Sequence, residues 1–512
     1  MKKSTLALSI AAAIGSLGFV GAANAAMGET SGGVGHQLVY PYFTAQGGNA
    51  TLMSITNTDT TNGKLVKVRF RGAANSDDLF DFTLALSPGD MWTAAVTQDA
   101  TTGLAQLATT DKSCTLPSSV NAKFSTFRLD PSATEANKAA GTREGYVEVI
   151  TMANIPSATA STSLFKTIKH VNGVAPCAAA VFTEKLATKA LGDATASGLV
   201  PPTSGITGDW IILNQTTTAA WSGSATALSP TGTALQVFWP QISGTPTGTI
   251  TNLTADPLFT KSIVAIQNFD LPDMSTPYSA AAADGAAQAD QTTAALAKTN
   301  IVNQYVTNDS ILADTDLLFS QPTRRYHVAV NYTASSTNLS ATTGTSPAAI
   351  FRNTGTLLVQ ENGTSQAYGS DYYRPTNIGF TTASPRILCL TGISAPSNNN
   401  VFDREETTPV DNTSFTISPV VVTAPGVVSI CGEAAVVSIN AGGVTYGSSL
   451  NASVARNDIT YAAAYTDGWL SFATPSANAA ISYPGLPILG QAFIRAANGA
   501  VNYGFGYAHK TK

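Results

Sequence analysis

Four side chains in this sequence have the chemistry of nucleophilic catalysis: Ser163, Lys166, His170 and His327. A nucleophile needs a base beside it, most often a histidine that a third group orients. Ser163 and Lys166 match the SxxK pattern, but the SDN and KTG segments that accompany it are absent, as are GxSxG, HExxH and the phosphate-binding GxxxxGK[ST]. We therefore expect Lys166 on a helix surface, a solvated His327, and no enzymatic activity.

The remaining two histidines lie in poor surroundings for catalysis. His36 follows a Gly-rich lead-in and His509 stands in a basic tail. Neither position has a motif that would orient an imidazole, so no catalytic residue is assigned to either.

Oxygen ligands for calcium could come from Asp59, Asn62 and Asp78. The alternating Asp/Asn pattern of a calcium loop is missing, and the Asn62-Gly63 pair suits a β-hairpin turn. The sequence thus predicts a hairpin at this point and no cofactor, with calcium left open.

A second charged group combines Arg324 and Arg325 with Asp403, Glu405 and Glu406. These residues could form a buried ion network or a pocket for a carboxylate. Adjacent residues of a strand point to opposite faces, so one arginine at most points inward. A structural ion pair is the expectation.

The four cysteines are Cys114, Cys177, Cys389 and Cys431. An even number of cysteines is typical of the disulfides of exported chains, so two disulfides are predicted, and four cysteines allow three pairings. Their clustering in the sequence favours Cys114 with Cys177 and Cys389 with Cys431. No pair has the close spacing of a zinc site or a redox CxxC, so no metal site is predicted.

The elements that must position these residues are strands. Alternation of apolar and polar residues with a period of two recurs along the chain, as a half-buried strand requires. Good examples are residues 78–86 and 315–332. The alternation is clearest in residues 64–71, whose apolar face carries Val66, Val68 and Phe70 and whose basic face carries Lys67, Arg69 and Arg71.

We predict an all-β fold of two antiparallel, sandwich-like regions with one Ala-rich helical connection. An N-terminal β-rich region spans residues 26–277, the Ala-rich helical connector 278–306, and a C-terminal β-rich region 307–512. Residues 1–25 have the basic start, apolar run and Ala23-Asn24-Ala25 cleavage site of a signal peptide. The protein is therefore expected to be exported, to the cell surface or beyond.

The composition of the chain argues against two classes of partner. Only 12% of residues are charged, 44% are hydrophobic, and the net charge is −5. Such a chain lacks the basic surface that nucleic acids or anionic membranes require.

Three stretches carry a resemblance: residues 270–278 (DLPDMSTPY), 315–328 (TDLLFSQPTRRYHV) and 402–409 (FDREETTP). Together they resemble a group of exported proteobacterial proteins of the cell surface. The resemblance implies a location at that surface and brings no catalytic residue.

The function expected from these observations is that of a secreted, structural cell-surface protein that self-assembles, as a surface layer does, or mediates adhesion. Its partners would be copies of itself, with lipopolysaccharide or other surface glycans. One alternative is a secreted carbohydrate-binding protein or hydrolase, which would have an aromatic-lined cleft and, in a hydrolase, a pair of carboxylates. Another is an outer-membrane β-barrel, which would need alternating strands throughout.

Overall fold

The chain is described by a computed structural model over residues 27–126, 129–130, 133–186, 197–231, 249–250, 263–264, 269–270, 285–323, 328–331, 349–353, 356–361, 364–367, 378–380, 387–393, 401–405, 428–441, 448–453, 456–461, 466–474 and 485–511. Strands form 52% of the structure and helices 10%, which confirms the predicted all-β class. The predicted signal peptide lies outside the described residues. Within the described ranges, no helix is both long and apolar enough to cross a membrane.

The first part of the chain forms two facing sheets. Sheet A has the strand order β1-β14-β2-β10-β4-β5-β8, and sheet B has the order β13-β12-β3-β6-β7-β9, with β11 also paired to β3. The strands are β1 Met27–Glu29, β2 Gln37–Thr44, β3 Asn49–Asn57, β4 Gly63–Gly72, β5 Asp78–Leu86, β6 Met91–Gln98, β7 Ala105–Ala108, β8 Cys114–Leu116, β9 Ala122–Lys123, β10 Glu144–Ile155, β11 Ile206–Thr207, β12 Asp209–Asn214, β13 Ala220–Ser224 and β14 Thr226–Pro230. The helices described between them are α1 Glu135–Gly141, α2 Leu164–Ile168 and α3 Ala179–Leu186.

The rest of the chain adds smaller sheets. Sheet C has the order β30-β29-β20-β33-β34 and sheet D the order β27-β31-β19-β35. Further short ladders are β15-β16, β17-β21-β22-β23-β24, β18-β32 and β25-β26-β28. The elements are β15 Thr249–Ile250, β16 Ile263–Val264, β17 Phe269–Asp270, α4 Gly285–Leu296, β18 Ala297–Lys298, β19 Asn300–Val306, a 3₁₀ turn Asp309–Ile311, β20 Asp314–Ser320, β21 Val328–Asn331, β22 Ala349–Asn353, β23 Thr356–Glu361, β24 Thr364–Ala367, β25 Ile378–Phe380, β26 Leu388–Ile393, β27 Val401–Asp403, β28 Val428–Cys431, β29 Ala434–Ala441, β30 Arg456–Tyr461, β31 Asp467–Ala473, β32 Leu486–Pro487, β33 Gln491–Asn498, β34 Val501–Ala508 and β35 Lys510–Thr511. Among the described strand pairs, β29 with β30 is parallel and the others are antiparallel.

Strand β4 alternates as predicted, yet both of its faces are buried. Its apolar side chains enter the core between sheets A and B. On the opposite face, Lys67 forms an ion pair with Asp81 of β5. Further along that face, Arg71 Nε lies 3.1 Å from Oε2 of Glu148 on β10. The basic residues of this strand are thus part of an enclosed charged row, in which each ion pair offsets the cost of removing the charges from water.

The predicted hairpin at Asn62-Gly63 is wrong. Strand β3 belongs to sheet B and β4 to sheet A, so the chain between them crosses from one sheet to the other. Asp59 Oδ1 accepts hydrogen bonds from the backbone N–H groups of Thr61 and Asn62, at 2.8 and 2.9 Å. This local turn satisfies the backbone without requiring the two strands to pair.

In the described part of the predicted helical connector (278–306), which begins at residue 285, the helix α4 covers Gly285–Leu296 and strands β18 and β19 follow it. The helical prediction was wrong there because Ile301 and Tyr305 are buried at strand spacing and extend sheet D. Leu296 packs with Val39 and Tyr146 on the outer face of sheet A, so α4 is a packed element and not an exposed linker.

One hydrophobic core joins sheets A and B to sheet C. Leu318, Val436 and Phe493 of sheet C belong to the same buried cluster as the inner faces of sheets A and B. The ring of Phe493 lies 6.0 Å from that of Trp210 and 6.2 Å from that of Trp221. The predicted boundaries of the two regions stay a prediction, but their described parts pack together.

A buried carboxylate, that of Asp316, stabilises the junction of sheet C with sheets A and B. Asp316 accepts hydrogen bonds from Ser438 Oγ at 2.6 Å, Ser448 Oγ at 2.5 Å and the N–H of Leu450 at 2.9 Å. The carbonyl of Leu450 in turn accepts a bond from Asn49 Nδ2 at 2.6 Å. Desolvation raises the pKa of Asp316, and these donors oppose that shift.

Candidate functional site

The SxxK pair is explained by helix capping. Ser163 is the N-cap of α2, and its Oγ accepts a hydrogen bond from the backbone N–H of Lys166. This bond satisfies one of the free N–H groups at the start of a helix. The Lys166 side chain is exposed, as expected for a helix-surface lysine.

His170 has neighbours that the sequence did not reveal. Its Nδ1 lies 3.4 Å from Ser87 Oγ and 3.6 Å from Oδ2 of Asp90. In a catalytic triad the serine and the carboxylate face opposite ring nitrogens, so that a proton passes through the imidazole. Here both groups approach the same nitrogen, and the arrangement cannot relay a proton in that way.

The predicted arginine–carboxylate network is described only in part. Arg324, Arg325, His327 and Glu406 lie outside the described residues. In the acidic run, Asp403 Oδ1 accepts a hydrogen bond of 2.9 Å from the N–H of Glu405.

Between those two acidic residues stands Arg404, whose Nε lies 3.1 Å from Oδ2 of Asp467. The ion network expected with Arg324 and Arg325 therefore stays a prediction.

The three oxygen-bearing residues considered for calcium are not brought together. Asp59 and Asn62 lie before β4, whereas Asp78 is the Cα partner of Arg71 at the other end of that strand. Eight residues of strand separate the two ends by about 25 Å. Burial opposes the charge of Asp59, but the N–H groups of Asn62 and Thr61 and the ammonium of Lys64 together lower its pKa to about 2. Across the described residues, no group of three or more His, Cys, Asp or Glu side chains could hold a metal ion.

Cys114 and Cys177 form a disulfide, as predicted. In the second pair, Cys389 and Cys431 are direct Cα partners on strands β26 and β28. Directly opposite residues of antiparallel strands stand at the Cα separation that a disulfide needs. Cys431 is disulfide-bonded, and its predicted pairing with Cys389 fits this register.

The clearest functional candidate is a surface on strand β34. On one face of this strand, Val501, Tyr503, Phe505 and Tyr507 are each between 43% and 51% exposed. We call these four side chains the aromatic stripe. Soluble proteins rarely leave contiguous apolar surface in water unless it binds something.

Glycines set the orientation of the stripe. On the opposite face of β34, a Cβ at Gly504 would lie 2.1 Å from the carbonyl oxygen of Ala220 on β13. Only a residue without a side chain fits there, so β34 packs closely on the edge of sheet B and directs its aromatic face outward. The alternation Tyr503-Gly504-Phe505-Gly506-Tyr507 was readable in the sequence as a strand, but its exposure was not.

A second exposed apolar surface lies on the outer face of sheet B. Leu52 of β3 and Ile211 of β12 are both exposed there. They line a groove of about 690 Å³ whose other walls include Thr93, Ala95 and Asp209. We call this the sheet B groove. Its lining is almost entirely uncharged, and the four residues of the aromatic stripe are uncharged as well.

The described tryptophans differ in environment. Trp92, Trp210 and Trp221 are buried. Trp469 is exposed, and its ring stacks on that of Phe402 with centroids 4.3 Å apart. This pair offers a flat aromatic surface on sheet D.

Comparison of the chain with protein-family models, with curated proteins and with solved structures finds no match.

Proposed function

We propose that this protein is an exported structural component of a bacterial cell surface, whose copies assemble with one another into a layer or filament. The aromatic stripe is the observation that carries the proposal. Four large apolar side chains on one strand face are costly in water, and their burial between copies would contribute roughly 25 cal/mol for each Å² covered.

The occupant that we propose for the stripe is the sheet B groove of a second copy. Both surfaces are apolar, and they are formed by different strands, β34 for the stripe and β3, β6 and β12 for the groove. A contact between two different surfaces is head-to-tail, and such contacts continue into rings or open filaments. Lys510, which is exposed just beyond the stripe, and Asp209 in the groove supply opposite charges at the rim.

The small proportion of charged residues supports the same proposal. With 12% of residues charged and a net charge of −5, like-charge repulsion between copies is weak. A contact made by aromatic and aliphatic groups is little affected by salt, unlike one made by surface ion pairs. Surface glycans, including lipopolysaccharide, are the partners that we propose for attachment to the cell.

Sedimentation velocity on protein purified without residues 1–25 tests self-assembly. We expect the sedimentation coefficient to rise with concentration and to change little between about 0.05 and 0.5 M NaCl. The triple variant Y503S/F505S/Y507S should sediment as a monomer. The control V171S/V174S removes two other exposed apolar side chains and should still assemble. Equal assembly of both variants would exclude the stripe as the contact.

A carbohydrate-binding protein is the second candidate, because Trp469 exposes its ring on top of Phe402. An aromatic face of this kind presents an apolar surface beside a polar N–H donor. Loss of glycan binding in Trp469→Ala, with assembly retained, would support this function.

A further inference from the structure

A cavity of about 510 Å³ lies where the start of the chain meets its end. Its wall combines residues of sheet A, the β13 edge of sheet B and the terminal strands. Cavities of this size at junctions between regions are where proteins commonly bind small molecules. We call it the junction cavity, and its polar lining includes Ser222, Ser224, Thr226, Gln491 and Thr511.

Gln491 is the notable residue of this wall. The residue is 5% exposed, and its Nε2 is buried without a hydrogen-bond partner. A buried N–H donor without an acceptor is unfavourable, and native structures seldom retain one unless it serves a purpose. The unpaired donor indicates a ligand, or a water, with an acceptor at this position.

Two glycines make room for that amide. A Cβ at Gly506 would lie 2.8 Å from Gln491 Nε2. A Cβ at Gly223 would first meet the ring of Trp210, at 2.5 Å from Cζ2, and would lie 3.1 Å from Gln491 Oε1. Neither glycine has the positive φ that would require glycine for backbone reasons. The absence of a side chain at Gly506 therefore keeps space beside the amide donor, whereas Gly223 also accommodates the ring of Trp210. Both glycines line the cavity.

Among the described residues of the lining, the charged side chains are paired. Lys298 Nζ lies 2.8 Å from Oε2 of Glu29, so the acid and the base neutralise each other. Both ring nitrogens of His509 are engaged, Nε2 with the carbonyl of Leu318 at 2.6 Å and Nδ1 with Asn303 Nδ2 at 2.9 Å. A phosphate or carboxylate ligand would find no unpaired cation among these described residues, whereas a neutral ligand does not need one.

We propose that the junction cavity binds a neutral, polyhydroxylated ligand, such as one or two sugar residues of a glycan. A sugar hydroxyl would accept the hydrogen bond of Gln491 Nε2, and the hydroxyls of Ser222, Thr226 and Thr511 would bond to its neighbours. The aliphatic side chains of Ile301 and Ile488, also in the lining, would contact the C–H groups of the ring. This site goes beyond the self-assembly proposal and does not depend on it.

The test is isothermal titration of the whole chain, without residues 1–25, with glucose, galactose, N-acetylglucosamine and maltose, and with inorganic phosphate as the charged probe. We expect saturable 1:1 binding of at least one neutral sugar and none of phosphate. Gln491→Met keeps the length of the side chain and removes its donor, so affinity should fall about tenfold or more. Ser222→Leu, which narrows the exposed side of the cavity, should weaken binding as well.

Val171→Ser changes an exposed side chain outside the cavity lining, and it should leave the affinity unchanged within about twofold. Thermal unfolding of each variant controls for the fold. The proposal is overturned if no sugar binds at high millimolar concentration, which would leave water as the partner of the amide. It is also overturned if Gln491→Met binds as well as the parent, or if binding is lost in Val171→Ser instead.

Discussion

The hydroxyl of Tyr42 on β2 donates a hydrogen bond of 2.6 Å to Oε1 of Glu144 at the start of β10. The same carboxylate accepts a bond of 3.2 Å from the backbone N–H of Ser453, a residue more than 300 positions away in the chain. Desolvation and the nearby Glu144 raise the pKa of Tyr42 well above its usual value, so the phenol stays protonated and remains a donor. The Glu144 carboxylate therefore connects β2 and β10 of sheet A to the distant segment that contains Ser453.

Tyr42→Phe should lower the free energy of unfolding by about 1–3 kcal/mol, because it removes a donor from a buried carboxylate while the ring stays packed. Chemical denaturation measures the change. The matched control is Tyr503→Phe, which removes the hydroxyl of an exposed ring and should change stability by less than about 0.5 kcal/mol. Equal effects of the two substitutions would show that the Tyr42 bond contributes nothing.

The Arg71–Glu148 pair should be far more sensitive than a surface pair. Both side chains are 2% exposed, so Glu148→Gln leaves a buried arginine with less compensation and should cost about 3–5 kcal/mol. Lys138 and Glu135 form an exposed pair on α1, and Glu135→Gln should cost less than about 0.5 kcal/mol. A cost for Glu148→Gln as small as that of the control would mean that the charged row is hydrated.

Local patterns predicted the strands well, because a period of two is a property of neighbouring residues. Residues 64–71 were predicted as a strand and form β4. The burial of its basic face was not predictable, since the partner of Lys67 is on β5 and the partner of Arg71 is on β10. Such contacts depend on the order of strands in a sheet, which no short stretch of sequence specifies.

The structural predictions were wrong where one short sequence pattern is compatible with two different structures. The Asn62-Gly63 pair suits a hairpin, but it also suits a loop that crosses between sheets. Alanine has high helix propensity and little packing information, so the end of α4 was placed ten residues too far along the chain, at 306 instead of 296. Among the surface features, the aromatic stripe could be read from the alternation of residues in the sequence. The junction cavity could not, because it is built from segments hundreds of residues apart.

Peptide mapping without reduction should recover Cys389 linked to Cys431, beside the bridge of Cys114 with Cys177. The register of β26 and β28 places Cys389 and Cys431 directly opposite each other. The first bridge spans 63 residues, and the double variant C114S/C177S should lose about 4 kcal/mol of stability in the loop-entropy model. Recovery of Cys177 linked to Cys389 would contradict both the pairing and the register.

Stability should fall as the pH decreases from about 6.5 to 4. Burial lowers the pKa of His509 to about 4, although its bond to the Leu318 carbonyl opposes the shift. Between pH 6.5 and 4, His509 of the unfolded chain takes up a proton that His509 of the folded chain does not. The free energy of unfolding therefore falls by up to about 3 kcal/mol across this range. Denaturation curves of His509→Gln should lack this part of the pH dependence. Parallel curves for the parent and the variant would exclude His509 as its source.

Electron microscopy of the surface of the producing cell tests self-assembly most directly. We predict an ordered layer or filaments that contain the protein, that persist after washing in moderate salt, and that disappear when Y503S/F505S/Y507S replaces the parent sequence. A bare cell surface, with the parent protein monomeric at every concentration in sedimentation velocity, would contradict the proposed function.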